Sequence, residues 1–272
     1  MGWPDGAFLM VVLQSFSTAL QSVGRRPTLA VPAAVLATIS VASTVSQGSL
    51  WSLVTSLLSL LVTPFVMAGF IALVDDARTG GRRDADFFAA GRHYFLTLLG
   101  GNLLVGLVMV VIGGIIVAAG VAVLGGFAAV LGGDVTLTPV TVAIVGVLAV
   151  VGWLVSLLFR FFAPAAVVED RRVGSAIGRS VEVVTDNFLA VVGFALFSGL
   201  VSLVLNFGPM WYFVFDATTV DGVVAAVQAG YPGATAPVAL VVLFLTSTVS
   251  TLLLQSYLVC FFGACTRRAH DG

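Results

Sequence analysis

The chain contains no lysine, and its twelve basic residues are all arginines. Charge of any kind is scarce: 9% of the 272 residues are charged, against about 25% in a soluble domain. With 59% hydrophobic residues and a mean hydropathy of +1.13, a water-soluble core of this size has no room for the apolar surface. The net charge of −1 excludes the basic field that a nucleic-acid partner needs. Cysteine is limited to Cys260 and Cys265, five residues and so about 140° apart on a helix. They face different directions, which excludes a disulfide between them. With no histidine pair nearby, they make no zinc site. His93 and His270 have no carboxylate–nucleophile arrangement around them. The Gly-Gly pairs lie in apolar sequence without a following lysine, so there is no phosphate-binding loop. The expectation is a non-enzymatic protein with no catalytic residue, cofactor or metal.

The chain does have long apolar runs, and its arginines are confined to the segments between them. The arginines form four groups: Arg25 and Arg26; Arg78, Arg82, Arg83 and Arg92; Arg160, Arg171, Arg172 and Arg179; Arg267 and Arg268. Between groups the chain folds back once through a connection without a basic residue: near Gln47, around Asp134, and from Phe207 to Ala236. Arginine and lysine stay in cytoplasmic loops. The pattern therefore predicts six crossings of the cell membrane with both termini in the cytoplasm. Met1–Gly6 has no basic residue, and Gln14, Ser15, Ser17 and Thr18 interrupt the apolar stretch after it. This start does not read as a secretory signal.

A crossing needs about 20 apolar residues. The expected spans are Thr28–Ser46, Leu50–Val74, Phe95–Leu131, Pro139–Ala163, Phe188–Phe207 and Pro237–Ala264. The third is too long for one straight crossing and should tilt, kink or project. Pro64, inside the second, should kink it. A short amphipathic segment precedes each pair of spans. Leu13, Phe16, Leu20 and Val23 share one face of the first. Phe87, Phe88, Tyr94, Phe95 and Leu98 mark the second, and Val173, Ile177, Val181, Val184 and Phe188 the third. These spacings of three and four residues give one apolar stripe, as in helices that lie in the headgroup layer. The fold expected is an all-α integral membrane bundle of six transmembrane helices with three cytoplasmic-side elbow helices. It forms a single domain, 1–272, in which the pattern repeats over about 7–74, 84–163 and 172–265.

The stretch FFAPAAVVEDRRVGSAIGRSVEVVTDNFLAVVGF, Phe161–Phe194, has three marks. An apolar span ends in an acidic corner, Glu169 and Asp170. An A-x-x-R-S helix follows, with Ala176, Arg179 and Ser180. Asp186, Asn187 and Phe188 then step into the next span. With ALQSVGRRPTLAVPA, Ala19–Ala33, this resembles a broad group of prokaryotic multi-pass membrane proteins. The group includes stand-alone archaeal proteins and the membrane domain attached to some glycerophosphodiester phosphodiesterases. Nothing resembling the soluble phosphodiesterase domain is present, so the resemblance implies the membrane topology without hydrolysis.

Two sets of candidate residues remain. Arg171, Arg172 and Arg179 in the basic elbow are candidates for contact with lipid headgroups. Asn102, Asn206 and Gln255, with the Ser/Thr run Thr246–Thr251, are candidates for a polar path through the bilayer, although interhelical hydrogen bonding is the favoured account of them. Asp75, Asp76, Asp84 and Asp86 read as solvated acids balancing Arg78, Arg82 and Arg83. Gly106, Gly113 and Gly120 recur every seven residues and should mark a closely packed helix face inside the protomer. The function expected is a membrane-organising or accessory protein that contacts the lipid bilayer or partner membrane proteins through its elbow helices. A small-solute transporter or permease subunit is the alternative.

Overall fold

The apolar runs fold as helices, since a helix pairs its own backbone groups where no water is available. The computed structural model describes residues 7–46, 50–81, 85–131, 139–214 and 237–271, and no strand occurs among them. The helices are α1 (Ala7–Arg25), α2 (Ala30–Val45), α3 (Trp51–Arg78), α4 (Phe87–Leu131), α5 (Pro139–Leu158), α6 (Phe162–Val168), α7 (Val173–Asp186), α8 (Phe188–Val214) and α9 (Pro237–Asp271). The turns near Gln47 and Asp134, the segment 215–236, and Arg82, Arg83 and Asp84 lie outside the described residues.

Five helical stretches are long and apolar enough to cross a membrane: Trp51–Arg78, Phe87–Gly114, Gly146–Val168, Phe188–Asn206 and Leu240–Arg267. The sixth expected crossing is the shortest. The 3-10 turn Pro27–Leu29 and α2 together make about 30 Å, which only just matches the roughly 30 Å of a bilayer core. Before it, the chain bends by 99° between Leu9–Arg25 and Pro27–Ser43. Arg26 makes the bend with an extended backbone (φ −130°, ψ 84°). Pro27 then opens the turn, where its missing N–H costs nothing. The first elbow is therefore a separate helix at right angles to its span.

The other elbows differ from each other. The third is the separate helix α7. The second is the opening of α4, which continues unbroken from Phe87 to Leu131, about 67 Å at 1.5 Å per residue. Phe87 does not face outward. Its ring fills the space that a side chain on Gly69 would need, while Phe65 occupies the matching space beside Gly91. This reciprocal fit binds α3 to α4. Pro64 is buried within a continuous α3. The expected fourth span, by contrast, breaks at Phe159–Phe161 into α5 and α6.

Packing is uneven along the bundle. α9 lies against α1, α2, α3 and α8. Buried side chains concentrate at the end where α3, α6 and α9 finish: Phe70, Ile71 and Val74; Phe161, Phe162 and Ala165; Tyr257, Phe261 and Phe262. Phe161, Phe194 and Phe261 stack there with centroids 4.6 to 5.8 Å apart. Aromatic pairs of this kind contribute about 0.5–1.5 kcal/mol each beyond their buried area. Towards the other end, Leu53 and Leu57 of α3, Leu107 and Val110 of α4, Leu203 and Val204 of α8, and Val241 and Leu245 of α9 are exposed. At Gly106 and Gly113, nothing lies within 4 Å of where a Cβ would sit. The heptad of glycines therefore does not pack inside the protomer at these two positions; Gly120's surroundings lie outside the described residues. On α4 the close approach is at Gly101, where the Phe162 ring takes the place of a Cβ.

Candidate functional site at the charged end

The arginine-bearing segments meet at the well-packed end, where two helix corners share one geometry. α3 ends with Gly80 in the left-handed region (φ 84°). The Gly81 N–H donates to the Asp76 carbonyl at 2.8 Å and the Gly80 N–H to Ala77. α6 ends with Asp170 in the same region (φ 51°), and the Arg171 N–H donates to the Ala166 carbonyl at 3.1 Å. Both are Schellman turns, which satisfy the orphan carbonyls of a helix end. Aspartate is among the few side chains that tolerate this conformation.

At the α3 corner the acids are inside. Asp75 is 3% exposed and Asp76 is 0% exposed. Arg26, at the α1–α2 bend, forms an ion pair with Asp76 at 2.7 Å. Arg78 pairs with Asp75 one turn away. The Arg78 guanidinium lies against α9, in the space that a Cβ on Gly263 would fill. Gly263 is thus the gap that admits this cation. One carboxylate ties the bend to α3, and the other holds the arginine that reaches α9. These acids were expected to be solvated. The helix carries them inward because α3 continues through Val74-Asp75-Asp76-Ala77-Arg78 without a break.

At the α6 corner the ion network is partly exposed. Glu169 accepts from Arg171 Nε at 2.6 Å and Arg179 Nε at 3.2 Å, and Arg179 Nη1 also donates to Glu182 at 2.9 Å. Burial alone pulls the Arg179 pKa down. Hydrogen bonds and charge from Glu182 and Glu169 outweigh it, so the pKa is raised and the guanidinium stays charged. The next residue closes the break in the fourth span. Ser180 Oγ donates to the Leu158 carbonyl at 2.6 Å and accepts from the Phe161 N–H at 3.1 Å. One hydroxyl from α7 satisfies both backbone groups freed by the break, which is how non-helical backbone is tolerated within a span.

A third polar set lies between α1 and α9. The buried face of α1 is Val12, Ser15, Ala19 and Ser22. Ser22 Oγ donates to the Thr18 carbonyl of its own helix at 2.8 Å, and Phe16 meets Tyr257 edge-on at 5.5 Å. The hydroxyls of Ser15, Ser256 and Tyr257 are buried without a hydrogen-bond partner. No group of three or more His, Cys, Asp or Glu side chains is placed to hold a metal among the described residues.

A family model for a domain of unknown function, DUF7847, matches residues 10–265. The chain belongs to the DUF7847 family. No curated protein and no solved structure matches it. The DUF7847 region runs from α1 to Cys265 and so takes in both corners and the seam between α1 and α9.

Within this DUF7847 domain the A-x-x-R-S motif has a structural role. Ala176 is fully buried, Arg179 locks to the acidic corner, and Ser180 closes the broken span. Of the three arginines proposed for headgroups, Arg179 is 9% exposed and is committed to two glutamates. Arg171 is half-exposed and shares Glu169. Arg172 is exposed at the start of α7, without an ion-pair partner among the described residues. The polar-path residues lie on three different helices. Asn102 is exposed on α4, Asn206 donates to the Ser202 carbonyl of its own helix at 2.7 Å, and Gln255 is half-buried on α9. Thr246 and Thr248 donate to carbonyls one turn back. His93 is 3.5 Å from Asp170, both largely exposed. The side chain of His270 lies outside the described residues. Sequence reading missed the buried Asp76–Arg26 pair. The available signal was its register: Asp75 and Arg78 lie three apart on an apolar helix that had not yet ended.

Proposed function

We propose that this chain is an integral protein of the cell membrane with six crossings, its charged end and both termini in the cytoplasm. It is a non-enzymatic, membrane-organising or accessory protein that contacts lipids or partner membrane proteins through its interfacial segments. The segregation of its surface carries the reading. Large apolar side chains are exposed along α3, α4, α8 and α9, while every ion pair of the described residues lies at the end where Arg26, Arg78, Arg179 and Arg267 gather. Arginine on one side is the signature of a cytoplasmic face. The transporter alternative would rest on a polar cavity lined by Asn102, Asn206 or Gln255.

The test is labelling of single cysteines in sealed cells by an impermeant thiol reagent, in a background without Cys260 and Cys265. Cysteines at Asp134 and Asp216 should label from outside; cysteines at Arg83 and Arg172 should label only after the membrane is opened. Labelling at Arg83 in sealed cells would overturn the six-crossing, both-ends-in reading.

A further inference from the structure

The first elbow helix has three kinds of surface. At about 100° per residue, Val12, Ser15, Ala19 and Ser22 form one buried sector of α1, against α9. Phe16 and Val23, half-buried, lie on its shoulder. Next around the helix come Leu9, Leu20 and Leu13, 53%, 46% and 49% exposed, within an arc of about 40°. The rest of the circumference carries Ser17, Gln21, Gln14 and Arg25, all exposed, with Met10 among them. A helix docked in water would put its leucines against the protein. Here the protein takes the small and hydroxyl side chains, and the leucines face outward beside an exposed polar sector.

We infer that α1 is an in-plane helix seated in an anionic leaflet, with Leu9, Leu13 and Leu20 among the acyl chains and Arg25 at the phosphate level. This rests on the six-crossing reading proposed above and names the contact made there. Two observations select lipid rather than another protein. The 99° bend at Arg26 lays α1 across the axis of α2, hence along the membrane plane if α2 crosses it. The leucine sector also adjoins a polar sector on the same helix, the division an interfacial helix needs. The charge selects an anionic surface. Arg25, Arg92, Arg160 and Arg172 are exposed at the same end of the bundle and have no ion-pair partner among the described residues. Each arginine near such a surface adds about 1 kcal/mol of attraction.

Full-length protein carrying an environment-sensitive fluorophore on a cysteine at Leu13, Ser17 or Leu103 is reconstituted in nanodiscs. The lipid is phosphatidylcholine, alone or mixed with phosphatidylglycerol. Cys260 and Cys265 are replaced by alanine. If that background fails to fold, both are kept, since each is 2% exposed, and the signal of unsubstituted protein is subtracted. Brominated acyl chains should quench the labels at Leu13 and Leu103, and iodide the label at Ser17. Phosphatidylglycerol should at least double the bromine quenching at Leu13, and Arg25→Gln should remove that gain. If Leu103 is quenched by bromine but Leu13 only by iodide, α1 faces water and the inference fails. If Leu13 is shielded from both quenchers, protein covers it and the inference also fails. A phosphatidylglycerol gain that survives Arg25→Gln removes Arg25 from the phosphate level. A Leu103 label untouched by bromine overturns the six-crossing reading itself.

Discussion

α1 and α7 have the same kind of sequence, a short amphipathic segment before a span, yet they meet the rest of the molecule with opposite faces. α7 buries Ala176, Val183 and Val184 together with the paired Arg179 and Ser180, while Gly174, Ser175, Gly178, Glu182 and Thr185 face out. α1 turns Ser15 and Ser22 inward and leaves Leu9, Leu13 and Leu20 outside. The difference teaches that a hydrophobic stripe fixes a helix's two faces but not which of them is the inner one. Beside lipid, apolar side chains gain nothing by leaving it, and small residues win the interface because they let backbones approach. α1, with small residues inward and leucines outward, has the pattern expected of a helix beside lipid.

The sharpest way to break this comparison is the same substitution on both stripes. Val183→Asp buries a carboxylate without a partner and should cost about 3–5 kcal/mol, enough to prevent folding. Leu13→Asp should stay within about 0.5 kcal/mol in detergent, where its site is open. Thermal unfolding of the solubilised proteins reads both, and equal losses would mean that α1 is docked through its leucines after all. Next in size is the anchor of α1. Arg26→Ala leaves Asp76 buried without its arginine and should cost about 3 kcal/mol. Adding Asp76→Asn should recover most of this; no recovery would place the cost in the backbone bend instead of the ion pair. The smallest effect separates two buried serines. Ser180→Ala should cost about 1–3 kcal/mol by stripping the Leu158 carbonyl and the Phe161 N–H of their partner. Ser15→Ala, which removes an unpartnered hydroxyl, should be neutral or slightly stabilising. A stable Ser180→Ala variant would mean that the broken span is satisfied by another route.

The long elements were legible in the sequence because lipid-length apolar runs and arginine placement are first-order signals. The bend at Arg26-Pro27 and the separate α7 were legible too, through periodicity. The features that were not legible depended on partners distant in sequence. The run from Pro139 to Ala163 ends at Pro164, which offers no N–H to the Arg160 carbonyl and crowds it; that local signal marks the break, but not the serine on α7 that completes it. Asp75 and Asp76 look like the start of a charged loop until Arg26 and the Gly263 gap are placed beside them. The glycine heptad of α4 shows the opposite error: a regular spacing suggested a packed face, but contact is decided by which neighbour is present, and at Gly106 and Gly113 there is none. Arg179 was chosen for its charge, and its glutamates claim it first.

The serine that closes the broken span also sets an order of events during synthesis. Ser180 lies 22 residues beyond Leu158 and 19 beyond Phe161. When the fourth apolar run leaves the ribosome, its end beside Arg160 therefore carries a carbonyl and an N–H whose partner has not yet been made, and such groups cost about 1–3 kcal/mol when buried unpaired. The junction of α5 and α6 is completed by the helix made after it.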